Sequence, residues 1–486
     1  MENTVAPSFK TVLVTNDVPV IDLSKEINNG GIADSCFLIF IDIQVLVPVA
    51  NGTEPMEAVI TIDILRRAGA VVTVASVEKQ LCVNMHNGLD IVADSLISDC
   101  ANTIFDLIAL LGGLPGGAAT LRDCATLESM VKKQDAEGRL YAEICAAPAL
   151  ALGSWGLLKD KKVMTIHLVR QIHRFDEKLG FCQATCYPYF TDQLCAATAD
   201  ESRVVRDGNV VTSRGPGTTM EFSMALVEQL FGKEKAIELS KSLRIFESSM
   251  VYVEQLFRKT KLLKSPWLRA ALPSNHEDEF SIAEINPINW TSDTCPKILV
   301  PLANGIEAME AIMMIDVLRW AEAETFVVSI EDTLEVKSSQ NVILVADMLL
   351  DDALKHSYDL IVLPGGVSSS QPFADSRTLT NWVKSQIVSE RPHGGTFMTQ
   401  ALLMRPHGLI KDKNATTFSK TCNAFLDPGE LANRVLIDGC LITGTGLGTS
   451  LEFSLAIVRK LLGPKKVLEL AEALFFLRPL GFHEFV

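Results

Sequence analysis

The sequence predicts an α/β fold in two tandem domains, each built on a mostly parallel sheet that is sandwiched by helices. One observation is a unit of about 190 residues that occurs twice in the chain. A second is that short apolar runs alternate with helical patterns in both copies, which indicates parallel strands joined by crossover helices. A third is that these apolar runs are continuous, as expected for strands that are buried on both faces of a sheet.

The repeat is visible in several segments that keep their order and, at first, a constant offset. Residues 45–58 (VLVPVANGTEPMEA) recur as 298–311 (ILVPLANGIEAMEA), and residues 105–113 (FDLIALLGG) recur as 358–366 (YDLIVLPGG). Because the matches span strand, helix and loop patterns, we interpret them as a duplicated domain.

The repeat predicts the domain boundaries. Copy 1 covers residues 45–245 and copy 2 covers 296–486, and a proline-rich acidic segment, 246–295, is expected to be an exposed linker. Residues 1–44 match neither copy and are expected to be a leader with no signal-peptide pattern. Residues 163–183 have no counterpart in copy 2 and are predicted to be an extra segment of copy 1.

The elements of copy 1 follow from apolar runs and helix stop signals. Gly69 is expected to end the first helix, because glycine is the usual residue after a helix C-terminus. The predicted strands are 45–49, 71–75 and 105–111, and the predicted helices are 57–68, 126–134, 219–230 and 233–243, the last two recurring as 450–462 and 465–474.

Composition excludes several classes of function. The chain has 486 residues, a net charge of −15, 48% hydrophobic residues and 21% charged residues. The negative charge argues against nucleic acid or an anionic membrane as the main partner. Eleven cysteines without a paired spacing favour free thiols in a reduced compartment, for which we expect the cytoplasm and also the nucleus.

Cys145 stands where an apolar run, residues 140–144, meets a run of small helix formers. A thiol at such a corner lies near free backbone N–H groups and the positive end of a helix dipole, which favour the thiolate. The alternative is a small buried hydrophobic residue. Glu57 and the pair Gly112-Gly113 also follow predicted strands, so all should converge with Cys145 at the carboxyl edge of the sheet.

Four ordered motifs resemble the DJ-1/PfpI superfamily. They are GTEPME at 52–57, LLGG at 110–113, ICAAP at 144–148 and TSRGPGT at 212–218. The two-copy layout resembles the plant tandem-domain DJ-1 homologues. The resemblance implies flavodoxin-like domains and, because the two are similar, we expect them to form a pseudo-dimer within one chain or a homo-oligomer.

The resemblance also implies roles for particular residues. Cys145 corresponds to the family's nucleophile and redox sensor, and Glu57 to the acid that hydrogen-bonds its sulfur; alone, Glu57 would be interpreted as a solvated helix-start acid. The Gly112-Gly113 loop lines the pocket, and the amides of Gly113 and Ala146 match the oxyanion pocket.

One pocket position departs from the family pattern. Tyr187 stands where the family often has a histidine, and tyrosine is a poor base at neutral pH. The extra segment contains His167 and His173, for which a replacement catalytic role and a surface excursion are the two interpretations. Cys182 and Cys186 are interpreted as loop thiols, and no metal or cofactor is expected.

Copy 2 is predicted to be a structural or regulatory pseudo-site. Phe397 aligns with Cys145, Phe418 replaces the family histidine, and Thr445 replaces Arg214. Outside both sites, Arg66-Arg67 on the first helix is expected either to reach a partner domain or to lie on a solvated face.

The sequence leaves three candidate functions. The first is glutathione-independent glyoxalase chemistry on small 2-oxoaldehydes (methylglyoxal or glyoxal), with a hemithioacetal formed at Cys145 and Glu57 as proton shuttle. The second is a redox-sensing or chaperone-like stress protein in which Cys145 is oxidised. The third is a cysteine amidase or peptidase, which Tyr187 disfavours.

Overall fold

The computed structural model describes most of both copies. The described residues are 42–114, 116–158, 203–243, 282–290, 295–396, 399–411, 413–416 and 433–474.

Copy 1 has a seven-stranded sheet among these residues, in the order β5-β2-β1-β6-β7-β9-β8. Its pairs are parallel except β8 with β9. Its strands are β1 Gln44–Val49, β2 Val71–Ser76, β5 Ser95–Leu96, β6 Leu107–Leu110, β7 Leu140–Ile144, β8 Val204–Asp207 and β9 Val210–Ser213, and a hairpin outside this sheet has β3 Cys82–Asn84 and β4 Asp90–Val92. Its helices are α1 Pro55–Ala68, α2 Ile97–Cys100, α3 Gly117–Asp123, α4 Ala125–Ala136, α5 Gly153–Trp155, α6 Thr219–Phe231 and α7 Lys233–Leu243.

Copy 2 repeats this plan with one additional strand, again among the described residues. Its sheet has the order β10-β18-β19-β17-β16-β11-β12-β15. The strands are β10 Ile282–Ile285, β11 Lys297–Leu302, β12 Glu324–Ser329, β15 Met348–Leu349, β16 Leu360–Leu363, β17 His393–Thr396, β18 Val435–Asp438 and β19 Leu441–Gly444, and its separate hairpin has β13 Glu335–Lys337 and β14 Ile343–Val345. The helices are α8 Ala308–Trp320, α9 Leu350–Ala353, α10 Val367–Asp375, α11 Arg377–Val388, α12 Ser450–Leu462 and α13 Pro464–Ala473.

The predicted α/β fold class is therefore confirmed. β1 is buried almost throughout, as its continuous apolar run predicts. Gly69 adopts a left-handed conformation with φ 105°, and its N–H bonds to the carbonyls of the last turn of α1, which ends that helix.

The linker prediction was wrong for residues 282–290. β10 pairs in parallel with β18, and the indole of Trp290 donates to the Gly439 carbonyl at 3.0 Å. Arg459 and Lys460 on α12 form ion pairs with Glu284, at 2.7 and 2.6 Å. The sequence pattern of a four-residue strand is too short to be recognised within a proline-rich segment. The strand forms because the edge of β18 offers it hydrogen-bonding partners.

The two copies also share a small sheet that the sequence analysis did not predict. The hairpin β3-β4 and the hairpin β13-β14 join through antiparallel pairing of β4 with β14. Helices α1 and α8 pack against each other across the same interface.

Candidate active site in copy 1

Cys145 lies at the predicted corner after β7. Its φ is 66°, a left-handed value that side chains rarely adopt and that is often found at functional sites. The Cys145 N–H donates to the Ser213 carbonyl on β9 at 3.1 Å, which fixes the corner to the neighbouring strand. A π-helical turn, Pro148–Leu152, then leads away, and the residue is only 5% exposed.

Glu57 faces the thiol from the first turn of α1. Its side chain is fully buried, and Oε2 accepts a hydrogen bond from the Gly112 N–H at 2.7 Å. A Cβ placed on Gly112 would lie 2.5 Å from Cys145 Cβ, 2.9 Å from its Sγ and 2.9 Å from Glu57 Oε2. Gly112 therefore occupies the space between thiol and carboxyl, and only a residue without a side chain lets the two groups come together.

The backbone next to Gly112 also leaves no room for a side chain. Gly113 has φ 122°, and a Cβ there would lie 2.1 Å from the Gly52 carbonyl oxygen. The Glu54 N–H donates to the Gly112 carbonyl at 3.2 Å, so this glycine loop is tied to the loop that precedes α1. The Ala146 N–H donates a hydrogen bond to the Cys145 sulfur.

Burial governs the protonation of this pair. It raises the pKa of Glu57 to about 8, although the hydrogen bonds from Gly112 and Cys145 oppose the rise. Burial, followed by the charge of Glu57, also raises the pKa of the Cys145 thiol. The expectation that the corner by itself favours a thiolate was therefore wrong, because desolvation outweighs the single N–H of Ala146 that faces the sulfur.

Because their side chains are in contact, Cys145 and Glu57 gain and lose protons as a pair rather than as two separate acids. Below the pKa of Glu57 both groups carry protons. When the pair loses one proton, the group that keeps its proton donates a hydrogen bond to the other, so one group can act as base while the other is the acid. This is the protonation state that nucleophilic attack by sulfur requires.

The site thus unites Cys145, Glu57, Gly112, Gly113 and Ala146. The other candidates, Tyr187, His167, His173, Cys182 and Cys186, lie outside the described residues.

Copy 2 keeps the acid and changes its surroundings. Glu310 is fully buried, and its Oε2 accepts from the Gly365 N–H at 2.8 Å and from the Thr396 hydroxyl. Burial raises its pKa to about 7. Thr396 ends β17 at the position of Ile144, and Phe397 lies outside the described residues. The hydroxyl gives Glu310 a partner of its own, which the sequence analysis did not foresee.

Sequence reasoning also missed a residue of copy 2 that acts on the copy 1 site. Asp316 on α8 raises the pKa of Glu57. One signal was present, because reaching a partner domain was one of the two expectations for Arg66-Arg67, the other being a solvated face, and α8 is the repeat of α1. Arg66 does reach the Gln340 carbonyl of copy 2, at 2.8 Å.

The described residues show neither a metal-binding cluster nor a membrane-spanning helix. They contain no group of three or more histidine, cysteine or acidic side chains placed to hold a metal ion. No helix in the described ranges has the length and apolar character needed to cross a bilayer.

The family model described as DJ-1/PfpI family matches residues 43–229 and 296–460, which is most of both copies. The chain belongs to the DJ-1/PfpI family. It is 48% identical to Protein DJ-1 homolog B of Arabidopsis thaliana, over 97% of this chain and 96% of that protein. It is 46% identical to Protein DJ-1 homolog A of the same plant, over 88% and 97%. The Glutathione-independent glyoxalase DJR-1.2 of Caenorhabditis elegans is 30% identical over 41% of this chain and 94% of its own length.

Proposed function

We propose that copy 1 is a glutathione-independent glyoxalase that converts small 2-oxoaldehydes to 2-hydroxy acids. The observation that carries the proposal is the buried thiol of Cys145 facing the Glu57 carboxyl across Gly112, with the pKa of Glu57 raised to about 8. The name of the Caenorhabditis elegans relative supports this reaction class.

The reaction needs one nucleophile and one proton carrier. Cys145 sulfur adds to the aldehyde carbon, and Glu57 delivers the pair's proton to the carbonyl oxygen, giving a hemithioacetal. The Glu57 carboxylate then removes the C–H proton from that carbon and delivers it to the adjacent carbon, while the hemithioacetal hydroxyl loses its proton to the adjacent carbonyl oxygen. The first carbon thereby becomes a carbonyl and the second becomes the hydroxyl-bearing centre. The product is a thioester, and water cleaves its C–S bond to release the hydroxy acid and restore the thiol.

The test is lactate formation from methylglyoxal by the full chain without glutathione. We expect Cys145→Ala to abolish turnover and Glu57→Gln to lower kcat by about 10²-fold or more, since general acid–base catalysis contributes that much. Glu310→Gln and Cys124→Ala are matched controls, because they change the same residue types away from this pair, and both should retain activity. Turnover that persists in Cys145→Ala would refute the proposal.

A second candidate is a redox-sensing stress protein, favoured by the same buried pair. Two equivalents of peroxide would convert the Cys145 thiol to a sulfinic acid and release two waters, and a protonated Glu57 would donate to the new oxygen. A mass gain of two oxygens at Cys145 under peroxide, in protein that makes no lactate, would favour this function over the first.

A further inference from the structure

Helices α1 and α8 meet at an interface that is nearly symmetric. Arg66 donates to the Gln340 carbonyl at 2.8 Å, and its repeat, Arg319, donates to the Asn87 carbonyl at 3.0 Å. Each of these contacts is the equivalent of the other with the two copies exchanged. Each copy therefore presents the same face of its helix to the other copy.

The symmetry fails at the next residue of each helix. Arg67 on α1 binds Asp63 on its own helix at 2.5 Å and also Glu307 of copy 2, so a cation lies between two buried acids. Its repeat on α8 is Trp320, which has no charge to offer. The ring of Trp320 packs 5.1 Å from that of His86 instead.

The acids on the Trp320 side are therefore left without the cation. Glu54 and Asp316, the repeats of Glu307 and Asp63, are 3% and 1% exposed. Glu54 Oε1 and Asp316 Oδ2 find no donor among the described residues, although Asn87 donates to the other oxygen of Asp316 at 2.9 Å. The two carboxyl groups lie within hydrogen-bonding reach of each other. A proton shared between them satisfies both oxygens, and two buried carboxylates in contact require one.

This acid pair borders the candidate active site. Glu54 lies one turn before Glu57, and its charge raises the pKa of Cys145, while Asp316 raises that of Glu57. In copy 2 the corresponding acid, Glu307, also raises the pKa of Glu310, but there Arg67 supplies an opposing charge that lowers it. The titratable groups facing the pair are Glu57, Cys145, His86 and Arg319.

We propose that Trp320 and Asp316 of copy 2 are positioning residues for the copy 1 site, because the aromatic ring withholds the cation that would offset the remaining negative charge of the Glu54–Asp316 pair and so keeps the Cys145–Glu57 pair protonated. Copy 2 thereby sets the pH at which the thiol becomes reactive. The inference rests on the proposed role of Cys145 as a reactive thiol.

The experiment introduces the missing cation. Trp320→Arg recreates the Asp63–Arg67–Glu307 arrangement on the other side of the interface, and Trp320→Lys places a smaller cation there. Trp320→Gln removes the ring without adding charge. For each full-length variant, the rate of Cys145 alkylation by iodoacetamide is measured from about pH 6 to 10 by peptide mass spectrometry, with folding checked by circular dichroism.

We expect the midpoint of reactivity to move down by about one pH unit or more in Trp320→Arg, since a nearby opposite charge shifts a carboxyl by that much. Trp320→Lys should move it in the same direction, and Trp320→Gln should leave it near the wild-type value. An unchanged midpoint in either folded cation variant would overturn the inference, as would an equal shift in Trp320→Gln. Alkylation requires no turnover, so a failed glyoxalase assay leaves this result interpretable.

Discussion

The two copies hold the same buried acid in two different electrostatic settings. In copy 1, Glu57 accepts from Gly112 and faces a thiol. In copy 2, Glu310 accepts from Gly365 and also from the Thr396 hydroxyl, which leaves it partnered within its own domain. Both copies therefore bury a glutamate at the same position of the fold. What that glutamate can do chemically depends on the side chain that faces it.

The comparison extends to the interface. On one side Arg67 places a cation between Asp63 and Glu307, whereas on the other side Trp320 stands at the equivalent position and the buried acids Glu54 and Asp316 each keep one oxygen without a donor among the described residues. A duplicated chain can vary the two sides independently, which a symmetric dimer of identical subunits cannot do. In the proposal made above, copy 2, which has Phe397 at the position of Cys145, acts on copy 1 through this interface.

Among the variants that test this comparison between the copies, Gly112→Ala is expected to have the largest effect on chemistry. The new Cβ would lie 2.5 Å from Cys145 Cβ and would push thiol and carboxyl apart. We expect lactate formation to fall by about 10²-fold, the cost of a misplacement near 1 Å. Gly116→Ala is the control, because its Cβ would meet nothing closer than the Asn51 carbonyl oxygen at 3.5 Å. Full activity in Gly112→Ala would contradict the geometry described for this pair.

The next effect concerns stability at the interface. Arg67→Met leaves Asp63 and Glu307 buried without their cation, and we expect the free energy of unfolding to fall by about 2–4 kcal/mol. Glu54→Gln should cost less than about 1 kcal/mol at neutral pH, because an amide replaces a protonated acid and can donate to Asp316. Urea unfolding of both variants measures the difference, and equal losses would argue against a shared proton at Glu54.

The smallest effect is a change in pH dependence at Glu143. Burial raises the pKa of this β7 side chain well above its ordinary value of 4.5, and copy 2 has Gly395 at the same position. A raised folded-state pKa contributes stability below the unfolded value that is lost as pH rises through the folded value. Glu143→Met should therefore stabilise the protein more at pH 9 than at pH 5. Melting curves with identical pH slopes in both proteins would show that Glu143 does not titrate in this way.

Much of the fold follows from local pattern. The continuous apolar runs predicted β1 and β2, and Gly69 marked the end of α1, because these features depend on residues that are neighbours in sequence. The shared sheet of β4 and β14 was not predicted, since three-residue strands carry little periodicity and their partner lies in the other copy.

The candidate site also has a part that the sequence predicted and a part that only the tertiary structure shows. The sequence by itself determined that a thiol, an acid and a glycine pair meet at the carboxyl edge of a parallel sheet, because strand order and the repeat place them there. Only the tertiary structure decided their protonation: burial holds Cys145 and Glu57 in their protonated forms, against the thiolate expected from the corner alone. It also decided that Asp316 acts on Glu57, because desolvation and charge depend on neighbours in space, and this neighbour comes from the other copy of the repeat.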